Sequence, residues 1–420
     1  MIRFYNGRTL EGLNVTENEV WTDADRIAYV GPAKADAPVF EREIDLRGDL
    51  LMPGFKNAHT HSAMTFLRSM ADDLPLQDWL FQQVFPREAK LNPERLASFA
   101  RVALLEYLAN GITACFDMYF FTDELAALAR AWGFRVVFCN SLTPGNNWDD
   151  LRRDHEKYNA MGPFVQHRLG FHAEYTANLD MLKYVSQAAH DYKAPVWCHN
   201  SETKAEVDGC LERHGVTPTR LFDDLGLYDY GGGGYHCVWL SDEDIAIFQN
   251  RGLYAVLNAC SNAKLASGIP PVGRFLDAGV KLAVGTDGPA SNNALDMFRE
   301  MYLINVLAKL GEKNAAAGDP GVILEAAVAG GARAMGLDAC DGIAPGKQAD
   351  LIVIDMARPN MQPVHNVVKN LVYSGNPGNV KLTMIAGRVL YENGAFFVGE
   401  DVERIFRDAE RHTRALMAEA

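Results

Sequence analysis

Excess positive charge is missing from this sequence. Its 420 residues include 40 Lys and Arg against 54 Asp and Glu, a formal net charge of −14. An acidic surface argues against nucleic acid or an anionic membrane as the main partner, because both are dense in negative charge. Long apolar runs are also missing: none approaches the roughly 20 residues that a membrane-crossing helix needs. Paired cysteines are absent, since none of the seven forms a CxxC. The cysteine count is odd, and Met1-Ile2-Arg3-Phe4 leads straight into a strand-like pattern with no signal peptide. The expectation is a reducing, cytoplasmic setting with buried free thiols. No internal repeat of the 20–50 residue kind is visible. A glycine-rich phosphate loop in the first strand-to-helix turn is lacking too, which leaves a doubly wound sheet as the weaker alternative.

What is present is an ordinary globular composition, 48% hydrophobic and 22% charged, enough for an ample core. Residues 1–50 read as short strands, "IRFYNG", "ENEVWTD", "RIAYVG" and "REIDLRG", bounded by turn residues. The far end behaves alike in "ADLIVID" and "VKLTMIAGRVLYENGAF", followed by a helix over about 400–420. The glycine run at 231–234 reads as a loop. Between the ends, helical stretches alternate with apolar strands: "LLMPGF", "ITACFDMYF", "RVVFCNSL", "HRLGFHAEY", "PVWCHN", "YHCVWL", "YAVLNAC" and "KLAVGTDG". Several are near-continuous apolar runs, as strands buried on both faces are. Eight β/α alternations predict an α/β fold with a TIM-type (β/α)8 barrel.

The chemistry gathers at strand ends. Five of eleven histidines fall there: His59 and His61 on the first strand, His172 on the fourth, His199 on the fifth and His236 on the sixth. Asp287 ends the eighth. In a barrel those ends converge on one mouth. Any one of these histidines alone reads equally as a packed core residue; the ordered set does not. Imidazole nitrogens and a carboxylate oxygen suit one divalent metal, zinc first and iron(II) second. Glu202, three residues after His199, supplies just past a strand end a carboxyl able to carry a proton from a metal-bound water to a ring nitrogen, with a helix-start carboxylate as the weaker reading. His155, His167, His190, His214, His365 and His412 receive no role.

The segments "PGFKNAHTHSAMT", "HNSET", "YHCVWLS", "VGTDGPASNNALDMFREM" and "GIAPGKQADLIVID" resemble the amidohydrolase superfamily, over nearly the whole chain. The branch they resemble is that of the 5′-methylthioadenosine/S-adenosylhomocysteine deaminases and their chlorohydrolase-like relatives. The resemblance implies a distorted barrel over 51–345 and a small β-sandwich from 1–50 and 346–420, the latter ending in the terminal helix. It implies that His59, His61, His199 and Asp287 hold the metal. It further implies that His236 orients the attacking water, that Glu202 shuttles a proton to the ring nitrogen, and that Asp287 moves the water's proton to departing ammonia. Metal-bound hydroxide would attack the ring carbon. "VQHRLGFHAEY" holds no lysine of the kind binuclear members modify, so one metal is expected.

For the substrate, the resemblance places Glu88 of "FPREAK" on ribose hydroxyls, His172 on the purine and Trp79 beside the ligand; surface charge and helix packing are the plainer readings of Glu88 and Trp79. Glu174, where a proline is common, is expected near the mouth and within reach of a substrate amine or hydroxyl. "VVFCNSL" carries Asn140 where relatives accepting a homocysteine tail carry an arginine. His172-Ala-Glu174 also matches the H-x-E of another zinc deaminase class, but no P-C-x-x-C follows. The expected activity is hydrolytic deamination of an adenine nucleoside. The alternative is aminohydrolysis or chlorohydrolysis of guanine, a pterin or an s-triazine. A non-catalytic relative would be expected to lose metal ligands, and every position is kept. The expected partner is a small heterocyclic substrate, with no nucleic acid and no membrane; the resemblance allows a homo-oligomer.

Overall fold

The computed structural model describes residues 1–70 and 72–419. Its centre is a sheet of eight parallel strands, hydrogen-bonded in chain order. They are Phe55–Thr60, Ile112–Asp117, Arg135–Cys139, Val165–Gly170, Val196–Asn200, Gly232–His236, Tyr254–Leu257 and Lys281–Val284. Every residue of the first two is buried, as expected of strands covered on both faces. Helices such as Pro93–Ala109, capped by the Asn92 side chain, and Leu179–Tyr192, capped by Asn178, cover the outside. The barrel closes at its mouth: the Asp287 N–H donates to the His59 carbonyl at 3.0 Å. The Asn57 side chain donates to the Thr286 hydroxyl at 2.7 Å and accepts the Thr286 N–H at 2.8 Å.

Two local readings are corrected. The glycine run is a strand, not a loop: Gly232, Gly233 and Gly234 lie inside the sixth barrel strand. Gly232 has φ +120°, and a Cβ there would stand 1.9 Å from the Val196 carbonyl oxygen. Only glycine lets the fifth and sixth strands approach this closely. The "LLMPGF" stretch is two strands of different sheets. Leu50–Pro53 pairs with Leu351–Ile354 and Arg8–Glu11, outside the barrel. The chain turns into the barrel at Gly54, where a Cβ would stand 2.2 Å from Thr113 Cγ2.

The two termini build a sandwich. A four-stranded sheet joins Arg26–Gly31, Glu19–Asp23, Ile2–Tyr5 and Arg42–Asp45. A seven-stranded sheet runs Ala395–Phe396, Arg388–Glu392, Val380–Ile385, Leu351–Ile354, Leu50–Pro53, Arg8–Glu11 and Asn14–Thr16. Between them Phe4, Val20, Leu51, Leu351, Val353 and Leu382 form one apolar layer, which is what holds two sheets face to face. The last helix, Val402–Ala418, lies along Pro93–Ala109 on the barrel. Among the described residues no helix is long and apolar enough to cross a membrane.

Candidate active site

The strand ends bring His59, His61, His172, His199, Glu202, His236 and Asp287 to one mouth. Three imidazoles are fixed through Nδ1. His61 Nδ1 donates to the Met118 carbonyl at 2.6 Å, and His199 Nδ1 donates to the His172 carbonyl at 2.8 Å. His236 Nδ1 donates to Asn262 Oδ1 at 2.7 Å. Carbonyl oxygens only accept, so each Nδ1 carries a proton and Nε2 is the nitrogen left to ligate. Asp287 divides its oxygens. Oδ2 accepts the hydroxyls of Ser261 and Ser291, both at 2.6 Å. Oδ1 turns to the imidazoles, 3.2 Å from His61 Nε2 and 3.4 Å from His59 Nε2.

His59 is wholly buried, stacked on Tyr235 at 3.8 Å, and neither ring nitrogen has a hydrogen-bond partner. An unpartnered buried polar group is costly. Ligand atoms of His59, His199 and His236 lie within 4.8 Å of one another, as do those of His59, His61 and Asp287. The donor set fits a divalent metal ion: burial lowers His59 to about 3 and holds His199 well below the usual imidazole range, leaving both neutral, while at His61 burial is outweighed by the facing Asp287, which raises it to about 9, so that a metal would displace its proton. Burial opposes ionisation of Asp287, yet the facing imidazoles of His59 and His61 hold it well below the usual carboxylate range.

Glu202 is buried beside this cluster. Oε1 accepts the Ser267 hydroxyl at 3.0 Å, and Oε2 stands 3.8 Å from His236 Nε2. Burial raises its pKa, with His236 opposing. The backbone N–H groups of Ser201 and Glu202 donate to the Glu206 carboxylate at 3.1 and 2.8 Å, which fixes the turn that presents Glu202. Ser201, His236, Cys237 and Asp287 all have φ between +50° and +70°. Such left-handed conformations in residues other than glycine gather where function holds the backbone against its preference.

A cavity opens onto the cluster. His61, His172, His199, Glu202, His236 and Asp287 line it together with Trp79 and Glu88. His59 lies beneath the lining. Glu174 is a correction: it does not face the cavity. Its carboxylate, 2% exposed, pairs with Arg213, and one oxygen lies 3.4 Å from His214 Nε2. The short turn Glu174–Thr176 swings it toward the helix Lys204–His214. Tyr119, Asn262, Ser261, Ser291 and Glu206 went unassigned in the sequence. A polar run, "NACSNAK", directly after the apolar seventh strand was the available signal for two of these, Ser261 and Asn262.

The amidohydrolase family model matches residues 50–390. The chain belongs to the amidohydrolase family. This amidohydrolase is 38% identical over 397 residues to a 5-methylthioadenosine/S-adenosylhomocysteine deaminase of Natronomonas pharaonis, covering 92% of each chain. It is 34% identical over 418 residues to a 5′-deoxyadenosine deaminase of Methanopyrus kandleri, covering 96% of this chain and 97% of that one. Among solved structures it resembles an adenosine deaminase from Xanthomonas campestris with bound zinc. There the TM-score is 0.94 at 32% identity, covering 99% of this chain and 98% of that one. The amidohydrolase is therefore a hydrolytic enzyme of the deaminase kind.

Proposed function

We propose that this enzyme deaminates adenine nucleosides that lack a charged tail, 5′-methylthioadenosine, 5′-deoxyadenosine and adenosine. Water and the nucleoside become the inosine analogue and ammonia. One observation carries the reading: a single cavity is lined by a metal-fitting cluster, the buried carboxyl of Glu202 and Glu88. The named relatives support the same class. A bound divalent metal, held by His59, His61, His199 and Asp287, would act as a Lewis acid that makes water a nucleophile near neutral pH.

The chain's own groups handle the protons. Glu202 Oε2 passes a proton to the ring nitrogen beside the leaving amino group and recovers one when the added oxygen gives up its second proton to become the ring carbonyl. His236 Nε2 orients the attacking water, since its Nδ1 is committed to Asn262. Asp287 Oδ1 takes the water's proton and returns it to the departing ammonia. Glu88 Oε1 accepts the Tyr119 hydroxyl at 2.6 Å, which leaves Oε2 to accept ribose hydroxyls. His172, its Nδ1 bonded to Thr176 Oγ1 at 2.8 Å, turns Nε2 to the purine, and Trp79 forms an aromatic wall.

No Lys or Arg is among the described residues lining the cavity. Arg153, in the neighbouring recess with Asn140, is already paired with Asp150 and Asp154. A homocysteine carboxylate would therefore be bound without a free cation. The test is ammonia release by zinc-loaded protein from adenosine, 5′-methylthioadenosine, 5′-deoxyadenosine, S-adenosylhomocysteine, guanine, a pterin and an aminated s-triazine. Turnover of the adenine nucleosides, slowest for S-adenosylhomocysteine and lost in Glu202→Gln with zinc retained, is expected. Silence on every nucleoside would overturn the proposal, and turnover of a free base alone would replace it.

A further inference from the structure

Glu300 is fully buried behind the site, in the first turn of the helix Met297–Gly311. Its two oxygens serve two different segments. Oε2 accepts the backbone N–H of Cys260 at 3.1 Å, at the start of the helix Ala259–Lys264 that follows the seventh strand. Oε1 accepts the side-chain amide of Asn292 at 2.8 Å, in the loop that follows the eighth strand.

Those two segments hold the reacting side chains. Next to Cys260, Ser261 donates to Asp287 and Asn262 accepts from His236. Asn292 donates with the same amide nitrogen to the carbonyl of Thr286 at 2.7 Å, immediately before Asp287. Asp287 itself sits at φ +57°, a conformation that persists only where neighbours over-determine it. One carboxylate thus spans the two loops that aim Asp287 and His236.

We infer that Glu300 is a positioning residue that holds the loops of the seventh and eighth strands in register and so sets the direction of Asp287 and His236. The inference rests on the reading of Asp287 as a metal ligand and proton carrier. An apolar residue of equal size would leave the Cys260 N–H and the Asn292 amide without this acceptor. The groups acting most strongly on Glu300 are donors from Cys260 and Asn292 and the Asp296 carboxylate, with no cation among them, and burial pushes its pKa up to about 8. A carboxyl kept there without a counter-charge is retained for its two acceptor oxygens.

Glu300→Gln tests this. Its amide must turn an NH2 toward one of two donors, so one bond is lost in either orientation. Glu106→Gln is the control: Glu106 accepts the Leu295 N–H at 2.9 Å and pairs with Arg68, steadying the chain near the same loop without reaching Asp287. Each protein is loaded with Co2+, its visible absorption recorded, its metal affinity titrated, and its kcat, KM and Tm measured. Glu300→Gln should change the cobalt band and weaken metal binding by about tenfold, the scale of a lost outer support. It should lower kcat by a similar factor with KM nearly unchanged, while Glu106→Gln shifts Tm alone. A Glu300→Gln protein with the wild-type cobalt band, affinity and kcat would overturn the inference. If that variant does not fold, Asn292→Ser, which cuts the links of the Asn292 amide to both Glu300 and Thr286, is measured in the same way; an unchanged cobalt band and affinity then overturns it. Should the wild type release no ammonia from any nucleoside, the proposed function falls, and the cobalt measurements still decide the role of Glu300.

Discussion

The Tyr119 hydroxyl donates to the Glu88 carboxylate across 2.6 Å, tying the short helix Phe85–Glu88 to the segment just after the second barrel strand, Ile112–Asp117. With one oxygen held, the other keeps a fixed direction. Tyr119→Phe removes that hold while leaving the ring packed. The expected outcome is a rise of about three- to tenfold in KM for the nucleosides, the worth of one ordinary hydrogen bond, with kcat changed less. Steady-state kinetics on 5′-methylthioadenosine checks it, and an unchanged KM would remove Glu88 from the sugar.

Glu206 gives a pH prediction. Burial pushes its carboxyl up to about 8; the Glu202 carboxylate adds to this, and the two amide donors oppose it. The folded protein therefore keeps a proton that the unfolded chain releases near the ordinary glutamate value. The stability this contributes is complete below that ordinary value and is lost as pH rises toward about 8. Glu206→Gln has no such proton to lose. The Tm difference, wild type minus variant, should shrink from acidic to mildly basic pH in paired melts. A difference that stays flat would mean the carboxyl is already ionised when folded.

Glu174 should matter to stability and not to turnover. Its ion pair with Arg213 is buried on the Glu side and 47% exposed on the Arg side, so solvent weakens it. Glu174→Gln should cost about 1–3 kcal/mol and leave kcat and KM on every accepted nucleoside within about twofold of wild type. Urea melts alongside kinetics separate the two effects. A changed KM would put Glu174 back at the substrate.

Metal removal should loosen the barrel. A ligand present at about a hundred times its Kd stabilises by about 2.7 kcal/mol, so chelation should lower Tm by several degrees. In Asp287→Asn the serine partners of Oδ2 remain but the charge facing His59 and His61 is gone. Its Tm should respond far less to zinc or to a chelator. Equal responses in both proteins would place the metal elsewhere.

The barrel was legible because strands buried on both faces leave continuous apolar runs, as in Ile112–Asp117 and Val196–Asn200. Histidines interrupting such runs at their ends stood out for the same reason. What was not legible depends on neighbours distant in sequence. Gly232 reads as a turn residue until the Val196 carbonyl is placed against it. Leu50–Pro53 looks like the start of the next strand until Leu351–Ile354 claims it. Glu174 carries no sign of Arg213, which lies 39 residues on. The orienting groups, the Met118 carbonyl, Asn262 and Ser291, are common residue types whose role exists only once the strand ends have met.

The barrel's seam lies between its first and last strands, bridged where the Asp287 N–H meets the His59 carbonyl. His59 and His61 sit on one lip and Asp287 on the other, 226 residues later in the chain. A chain released from synthesis before residue 287 has no second lip, whatever else it has folded. An ion gripped from both sides would act as a clasp on the seam, so its uptake would mark the moment at which the ring is complete.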